Sequence, residues 1–328
     1  MVGVGNGPLR SGEHLMRVEN LVVEFGVSRG SKLQAVSDVS FDVARGETLG
    51  IVGESGCGKS TTAKATIQLP KPTSGRVWYD GHELTAVSKE ELRQTRRDLQ
   101  MIFQDPISSL NPRRSVWQII SEGVEIWETQ DRWNDERLTE LLVQVGIDPQ
   151  YRDRKAYQFS GGQCQRISIA RALALDPTVL ISDEPVSALD VSVQAQILNL
   201  LDDLKTEHDL TMLFISHDLA VVRNVSDRVM VMYLGRVAEI GDADAIFSHP
   251  RHPYTRALLS AVPGSGLEVD EALAGELPSP LNPPAGCRFH TRCSAATEIC
   301  STTIPEFTAY GDDHWVACHH PQQTPVSL

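Results

Sequence analysis

No stretch of this chain approaches the ~20 consecutive apolar residues that span a bilayer. Apolar runs such as Thr178–Ile181 and Met212–Ile215 have the length of buried strands. Positive charge is scarce as well: 30 Lys and Arg stand against 43 Asp and Glu, a formal net charge of -13. With no basic patch in view, nucleic acid is not an expected partner. The opening segment, Met1 to His14, is rich in glycine and lacks the basic-then-apolar order of a signal peptide. It reads as a loose tail on a chain made and kept in the cytoplasm, so that any membrane association would run through partner proteins. Cysteine is nearly absent before Pro263, where only Cys57 and Cys164 occur. No internal repeat is visible.

What is present is enough for a substantial core. At 328 residues, with 41% hydrophobic and 22% charged, the chain fits one large domain with an appendage. Arg17–Phe25 and Ser37–Val43 alternate polar and apolar residues as strands do. Thr48–Val52 is a compact apolar strand that runs into a glycine-rich turn, and a helix is expected over Ser60–Gln68, ended by Pro70 and Pro72. Strand, glycine loop and helix in that order open a parallel α/β sheet. From about 89 to 176 the pattern is mainly helical, an insertion between sheet strands. Strands return at Thr178–Ser182 and Thr211–Ser216 around a helix from Val193 to Lys205. A late hairpin turns at Leu234-Gly235, and prolines 278, 280, 283 and 284 mark a linker.

Three motifs carry the chemistry. Gly53-Glu-Ser-Gly-Cys-Gly-Lys59-Ser60 has the spacing of a phosphate loop. Its glycines, Gly53, Gly56 and Gly58, permit backbone turns that aim the amides around Ser55 and Thr61 at one anion, and the following helix adds its positive end. Lys59 would neutralise the β and γ phosphates of a bound nucleotide, and the Ser60 hydroxyl would reach Mg²⁺. Val179-Leu-Ile-Ser-Asp183-Glu184 is an apolar strand that ends in two carboxylates. Asp183 is placed to hold Mg²⁺ and Glu184 to polarise an attacking water. In Phe159-Ser-Gly-Gly-Gln163, Ser160 caps a helix whose N-terminus Gly161 and Gly162 leave open to an anion. A second phosphate-facing helix end makes sense if it serves a nucleotide held by another subunit.

On these residues the sequence resembles the ABC transporter ATPases, whose signature LSGGQ appears here with Phe159 in the leucine position. The implied fold is an α/β phosphate-loop NTPase core with an antiparallel β subdomain and a helical subdomain. The resemblance assigns Gln104 to the Q-loop that touches Mg²⁺, Asp190 of Ser187-Ala-Leu-Asp to the D-loop, and His217 to the switch that contacts the γ-phosphate. Phe25 is the candidate to stack on adenine. Met101-Ile-Phe-Gln-Asp-Pro-Ile-Ser-Ser-Leu-Asn-Pro112, Asp183–Gln194 and His252-Pro-Tyr-Thr-Arg-Ala-Leu258 narrow the likeness to the oligopeptide and dipeptide importer ATPases, and Cys57 with Phe159–Arg166 favours the F-type subunit. The resemblance implies a nucleotide-binding domain over 15–262 with a C-terminal extension over 263–328. It implies a head-to-tail dimer with a D-type ATPase, two transmembrane permeases and an extracytoplasmic solute-binding protein. The chain would then sit at the cytoplasmic face of the plasma membrane. Nickel, glutathione, opine or sugar import, and a non-transport ABC ATPase, are the alternative functions.

The remaining cysteines crowd one end as Cys287-x5-Cys293-x6-Cys300-x17-Cys318. Four thiolates suit tetrahedral Zn²⁺ or an iron–sulfur cluster, although the gaps are wider than the tight pairs usual for structural zinc. The extension is similar to that of peptide-importer ATPases, some of which carry a [4Fe–4S] cluster. The resemblance therefore implies that cluster, with zinc or four reduced thiols as alternatives.

Overall fold

The computed structural model describes residues 8–27, 32–127, 134–262, 275–311 and 313–322. The outer parts of the expected tail, linker and C-terminus lie outside them. The described residues fall into two compact units, one made of the segments up to Val87 and from Ile215 onward, the other of Ser88–Phe214.

The first unit begins with β1 (Met16–Gly26), β2 (Lys32–Val43), β3 (Thr48–Val52), α1 (Lys59–Thr66), β4 (Ser74–Tyr79) and β5 (His82–Glu83). β2, β1, β4 and β5 form an antiparallel sheet in that order. Alternation along β1 buries Met16, Val18, Leu21 and Val23 and turns their neighbours outward, the pattern of a strand with one face on a core. β3 is buried along its whole length, as a strand covered on both faces must be. Residues 8–14 are anchored rather than loose. The Arg10 guanidinium donates to Asp42, which is fully buried, and pairs with Glu47; Arg228 reaches the same two acids.

The second unit contains α2 (Lys89–Thr95), β6 (Leu99–Ile102), α3 (Val116–Ile126), α4 (Asp135–Gln144), α5 (Gly161–Leu173), β7 (Val179–Asp183), α6 (Val191–His208) and β8 (Thr211–Ile215). β6 pairs with β7 in parallel and β8 lies on the other side of β7. Ser88, Ser115 and Ser160 each begin a helix with a reciprocal capping box, closed by Glu91, Gln118 and Gln163 respectively. α3 buries Val116, Ile119, Ile120 and Val124 and packs on α5.

The chain then re-enters the first unit through α7 (Leu219–Val225), β9 (Arg228–Tyr233), β10 (Arg236–Asp242), α8 (Ala243–Ser248) and α9 (Pro253–Ser260). It ends with α10 (Glu298–Thr302), β11 (Phe307–Ala309) and β12 (Trp315–Ala317). β9 runs parallel to β3 and forms the expected hairpin with β10, turning on Leu234 and Gly235 at φ of 42° and 78°. Two consecutive positive φ values give the turn the twist that its strands require. β12 adds to β10, pairing Val316 with Glu239, and β11 adds to β12. The cysteine-rich extension thus continues the sheet of its own unit, and its Phe289 and Val316 are buried there. Among the described residues no helix is long and apolar enough to cross a membrane.

Candidate functional site

The phosphate loop leaves the end of β3 and feeds the N-terminus of α1. Gly53 and Gly58 have φ of 148° and 103°, and neither tolerates a side chain. A Cβ on Gly53 would collide with the Met232 carbonyl oxygen, and one on Gly58 with that of Ala35. Lys59 is 4% exposed and its ammonium donates to the carbonyls of Gly53 at 2.7 Å and Glu54 at 3.1 Å. The lysine is thereby held inside the curl of the loop, while Ser55 and Gly56 are exposed at its crest. Burial pushes the Cys57 thiol up to about 11, against the pull of nearby Lys59, so it is a neutral packing group. His217, exposed, follows β8 and precedes the Asp218 cap of α7 in the same unit. Phe25 lies near the end of β1 at 38% exposure.

The second unit gathers the acidic group. β7 is buried along its whole length and ends at Asp183, itself 1% exposed. Glu184 follows with φ of 47°, a left-handed turn that swings it out of the strand line. Its carbonyl accepts from the backbone and hydroxyl of Ser187. Its carboxylate oxygen Oε2 accepts from Gln104 Nε2 at 3.1 Å. That contact joins two residues 80 positions apart and leaves the amide oxygen of Gln104 on its other side.

Gln194 on α6 fixes the segment beyond, donating to the carbonyls of Val186 at 3.1 Å and Leu189 at 3.0 Å. Asp190 caps α6, and hydrogen bonds from the Ser192 hydroxyl and the Val193 amide hold its carboxyl below the usual range. Ser160 and Gln163 cap α5 reciprocally, with Ser160 exposed and the Gly161 and Gly162 amides in the first turn. A Cβ on Gly162 would meet Val193, so α5 and α6 approach closely there. The predicted nucleotide-site residues therefore stand near strand ends, at helix starts or in the turns between them.

The expectation of a metal centre in the extension is overturned. All four cysteines line one hollow, but its volume is about 10 Å³, room for about one water. Among the described residues no group of three or more His, Cys, Asp or Glu is placed to hold a metal ion. Burial pushes the Cys287, Cys293 and Cys318 thiols up, Cys318 to about 12, with neighbouring cysteines adding to the rise. Cys318 Sγ also accepts the His320 amide at 3.3 Å, and Cys300 Sγ lies 3.8 Å from the Thr297 hydroxyl. Neither the [4Fe–4S] cluster nor zinc is supported at Cys287, Cys293, Cys300 and Cys318, which are free buried or half-buried thiols.

Sequence reasoning missed a set of contacts around Glu54, the second loop residue. Tyr254 Oη accepts its backbone N–H at 2.9 Å, and Arg292 from the extension pairs with its carboxylate at 2.6 and 3.2 Å. Tyr254 belongs to the His252–Leu258 segment, yet neither it nor Arg292 carries a local signal.

Residues 36–187 match the ABC transporter family, and residues 238–300 match the oligopeptide/dipeptide transporter C-terminal region. The chain is 52% identical to an oligopeptide transport ATP-binding protein, AppF, of Bacillus subtilis, over 88% of this chain and 89% of that protein. It is 47% identical to the oligopeptide transport ATP-binding protein OppF of Haemophilus influenzae, over 93% and 97%. Among solved structures it resembles cbiO1 of Clostridium perfringens, part of an ABC transporter complex, with 31% identity and a TM-score of 0.63 over 72% of this chain and 91% of that one. A dimeric ATP-binding cassette in a post-hydrolysis state, bound to ADP and Pi, matches with 29% identity and a TM-score of 0.63 over 70% and 98%.

Proposed function

The chain belongs to the ATP-binding subunits of oligopeptide ABC transporters, ATP-hydrolysing cassettes that energise import, and from that premise we propose how its residues divide the work. Gly53, Ser55, Gly56, Gly58, Lys59, Ser60 and Thr61 take the β and γ phosphates of ATP. Glu184 accepts a proton from the attacking water, His217 contacts the γ-phosphate, and Phe25 stacks on the adenine. The donors for Mg²⁺ are the Ser60 hydroxyl, the Asp183 carboxylate and the Gln104 amide oxygen. These hard oxygen ligands suit that ion. When bound, Mg²⁺ draws negative charge from the phosphate oxygens.

Ser160, Gly161, Gly162 and Gln163 present the start of α5, and Asp190 the start of α6, to nucleotide on a second cassette. The dimeric cassette among the structural relatives supports that arrangement. The partner cassette is the D-type ATPase of the same transporter. Two permeases and an extracytoplasmic binding protein complete the assembly, and the chain is peripheral on its cytoplasmic side. Peptide import rests on the likeness to oligopeptide transport proteins, which spans both the cassette and the extension.

The hydrolytic roles rest most on the Gln104–Glu184 contact, which holds a carboxylate at the end of a fully buried strand beside an amide able to ligate a cation. Glu184→Gln keeps the side chain's shape and removes its basicity. The variant is expected to bind ATP with unchanged affinity while steady-state hydrolysis by the assembled transporter falls about 10²–10⁴-fold, the usual worth of a positioned base. Hydrolysis at wild-type rate would remove Glu184 from that role.

A further inference from the structure

The second residue of the phosphate loop is gripped on three sides. Tyr254 on α9 accepts the Glu54 N–H at 2.9 Å through a phenol that is fully buried. The Glu54 carbonyl accepts from the ammonium of Lys59 at 3.1 Å. The Glu54 carboxylate receives both Arg292 nitrogens, Nη1 to Oε2 at 2.6 Å and Nη2 to Oε1 at 3.2 Å. Arg292 stands one residue before Cys293 in the extension, with its side chain 5% exposed against 24% for Glu54.

The grip is itself braced. Nη1 of Arg292 also lies 3.5 Å from Tyr233 Oη, and the guanidinium sits 5.9 Å from the Tyr233 ring centroid. Tyr233 meets Tyr254 edge-on with centroids 4.7 Å apart, and Phe289 of the extension lies 5.2 Å from Tyr233 and 5.3 Å from Tyr254. Burial alone would lower the arginine's proton affinity, but its contacts with Glu54 and Tyr233 outweigh that and raise it.

We propose that Arg292 is a positioning residue for the nucleotide, through which the extension sets the electrostatics and pose of the phosphate loop. The inference rests on the reading that Gly53–Thr61 binds ATP. A carboxylate at the second position of such a loop stands near a polyanion and would repel it. Paired bidentately with a buried guanidinium it is neutralised, which is the geometry in which arginine holds a carboxylate best. The same pairing fixes the Glu54 side chain while Tyr254 fixes its amide, so the carbonyl that receives Lys59 is held from both ends. This gives the peptide-transporter extension a task within the ATP cycle, although it contributes no atom to the reaction.

The test is ATP affinity and steady-state kinetics of the full-length chain in its assembled transporter. Lys59→Ala serves as the control for the nucleotide reading. If the wild type binds ATP no better than Lys59→Ala, that reading fails and the inference falls with it. If the control behaves, Arg292→Ala is expected to raise the KM for ATP about tenfold, the scale of a coupling between a positioning group and a binding site, with little change in kcat. Adding Glu54→Gln to Arg292→Ala is expected to restore most of the KM, because the uncompensated charge is gone. A structural role for Arg292 would not predict that rescue. An Arg292→Ala variant with unchanged KM, or a raised KM that Glu54→Gln leaves in place, overturns the proposal. If Arg292→Ala is not recovered folded, Arg292→Lys is read in its place. It retains charge but loses the fork, so it should shift KM the same way by less, and a KM equal to wild type counts against the inference.

Discussion

His252 caps α9 with its ring: Nδ1 accepts the Tyr254 N–H at 3.0 Å, while its own backbone N–H donates to Glu239 Oε2 at 3.0 Å. An accepting Nδ1 cannot carry a proton, and complete burial lowers the ring from 6.5 to about 4 despite the pull of Glu239. The unfolded chain therefore binds this proton between pH 6.5 and 4 while the folded chain refuses it. Stability contributed by the neutral ring is full above pH 6.5 and is lost as pH falls toward 4, by about 3 kcal/mol at the lower limit. His252→Asn retains a capping oxygen and removes the titration. Its Tm is expected to fall less steeply than that of the wild type between pH 6.5 and 4, as differential scanning fluorimetry would read; parallel profiles would refute the assignment.

The same scale divides what sequence could say from what it could not. The placement of Lys59, Ser60 and Glu184 was legible because it is made locally, by a glycine loop for the first two and by the end of an apolar strand for the third. His252, Tyr254 and Arg292 were silent because each acts on a residue brought near by the fold.

Among the elements, strands and helices with a complete local signal were legible close to their observed bounds. β3 is one, being apolar throughout and followed by the glycine loop. α5 is another, opened by Ser160 and Gln163 as a reciprocal cap. β12 was not foreseen. Three residues, Trp315–Ala317, carry no periodicity, and their place is set by pairing with β10, more than 70 positions away. The metal reading of the extension failed for a related reason. Cysteine spacing reports which thiols the chain could gather, but the packing around them decides what fits between them. Here the hollow that they line holds about 10 Å³, and no group of three or more ligands is placed to hold a metal ion among the described residues.

The pairing of β12 carries its own prediction. Val316 is fully buried opposite Glu239. Val316→Asp would place a charge there without a partner, at a cost of several kcal/mol. The expected result is a lowered Tm together with rapid proteolytic release of the segment after α10, the remaining fragment staying resistant. Equal protection of wild type and variant would show that β12 does not hold the extension in place.

At the scale of the whole molecule, charge and site completeness pull in opposite directions. The fold was legible as a phosphate-loop cassette because its motifs appear in order, whereas a second copy leaves no mark on one sequence beyond a helix start without a task. The signature turn at Ser160 and the Asp190 turn are exposed on this chain, and catalysis of phosphoryl transfer depends on positioning charges around the transferred group. If those turns complete a nucleotide site on another cassette, specific ATPase activity must rise with total cassette concentration, whether the chain is alone or titrated with the partner ATPase. With the Glu184→Gln variant and Mg²⁺-ATP, the species that accumulates should elute as a dimer and revert when EDTA is added. Two chains of net charge -13 also repel at long range. The Debye length shrinks from about 30 Å at 0.01 M salt to about 10 Å at 0.1 M, so raising salt across that interval should favour association of two copies. Specific activity that stays constant as the protein is diluted would mean that each chain holds a complete site, and that Ser160 and Asp190 serve α5 and α6 only as caps.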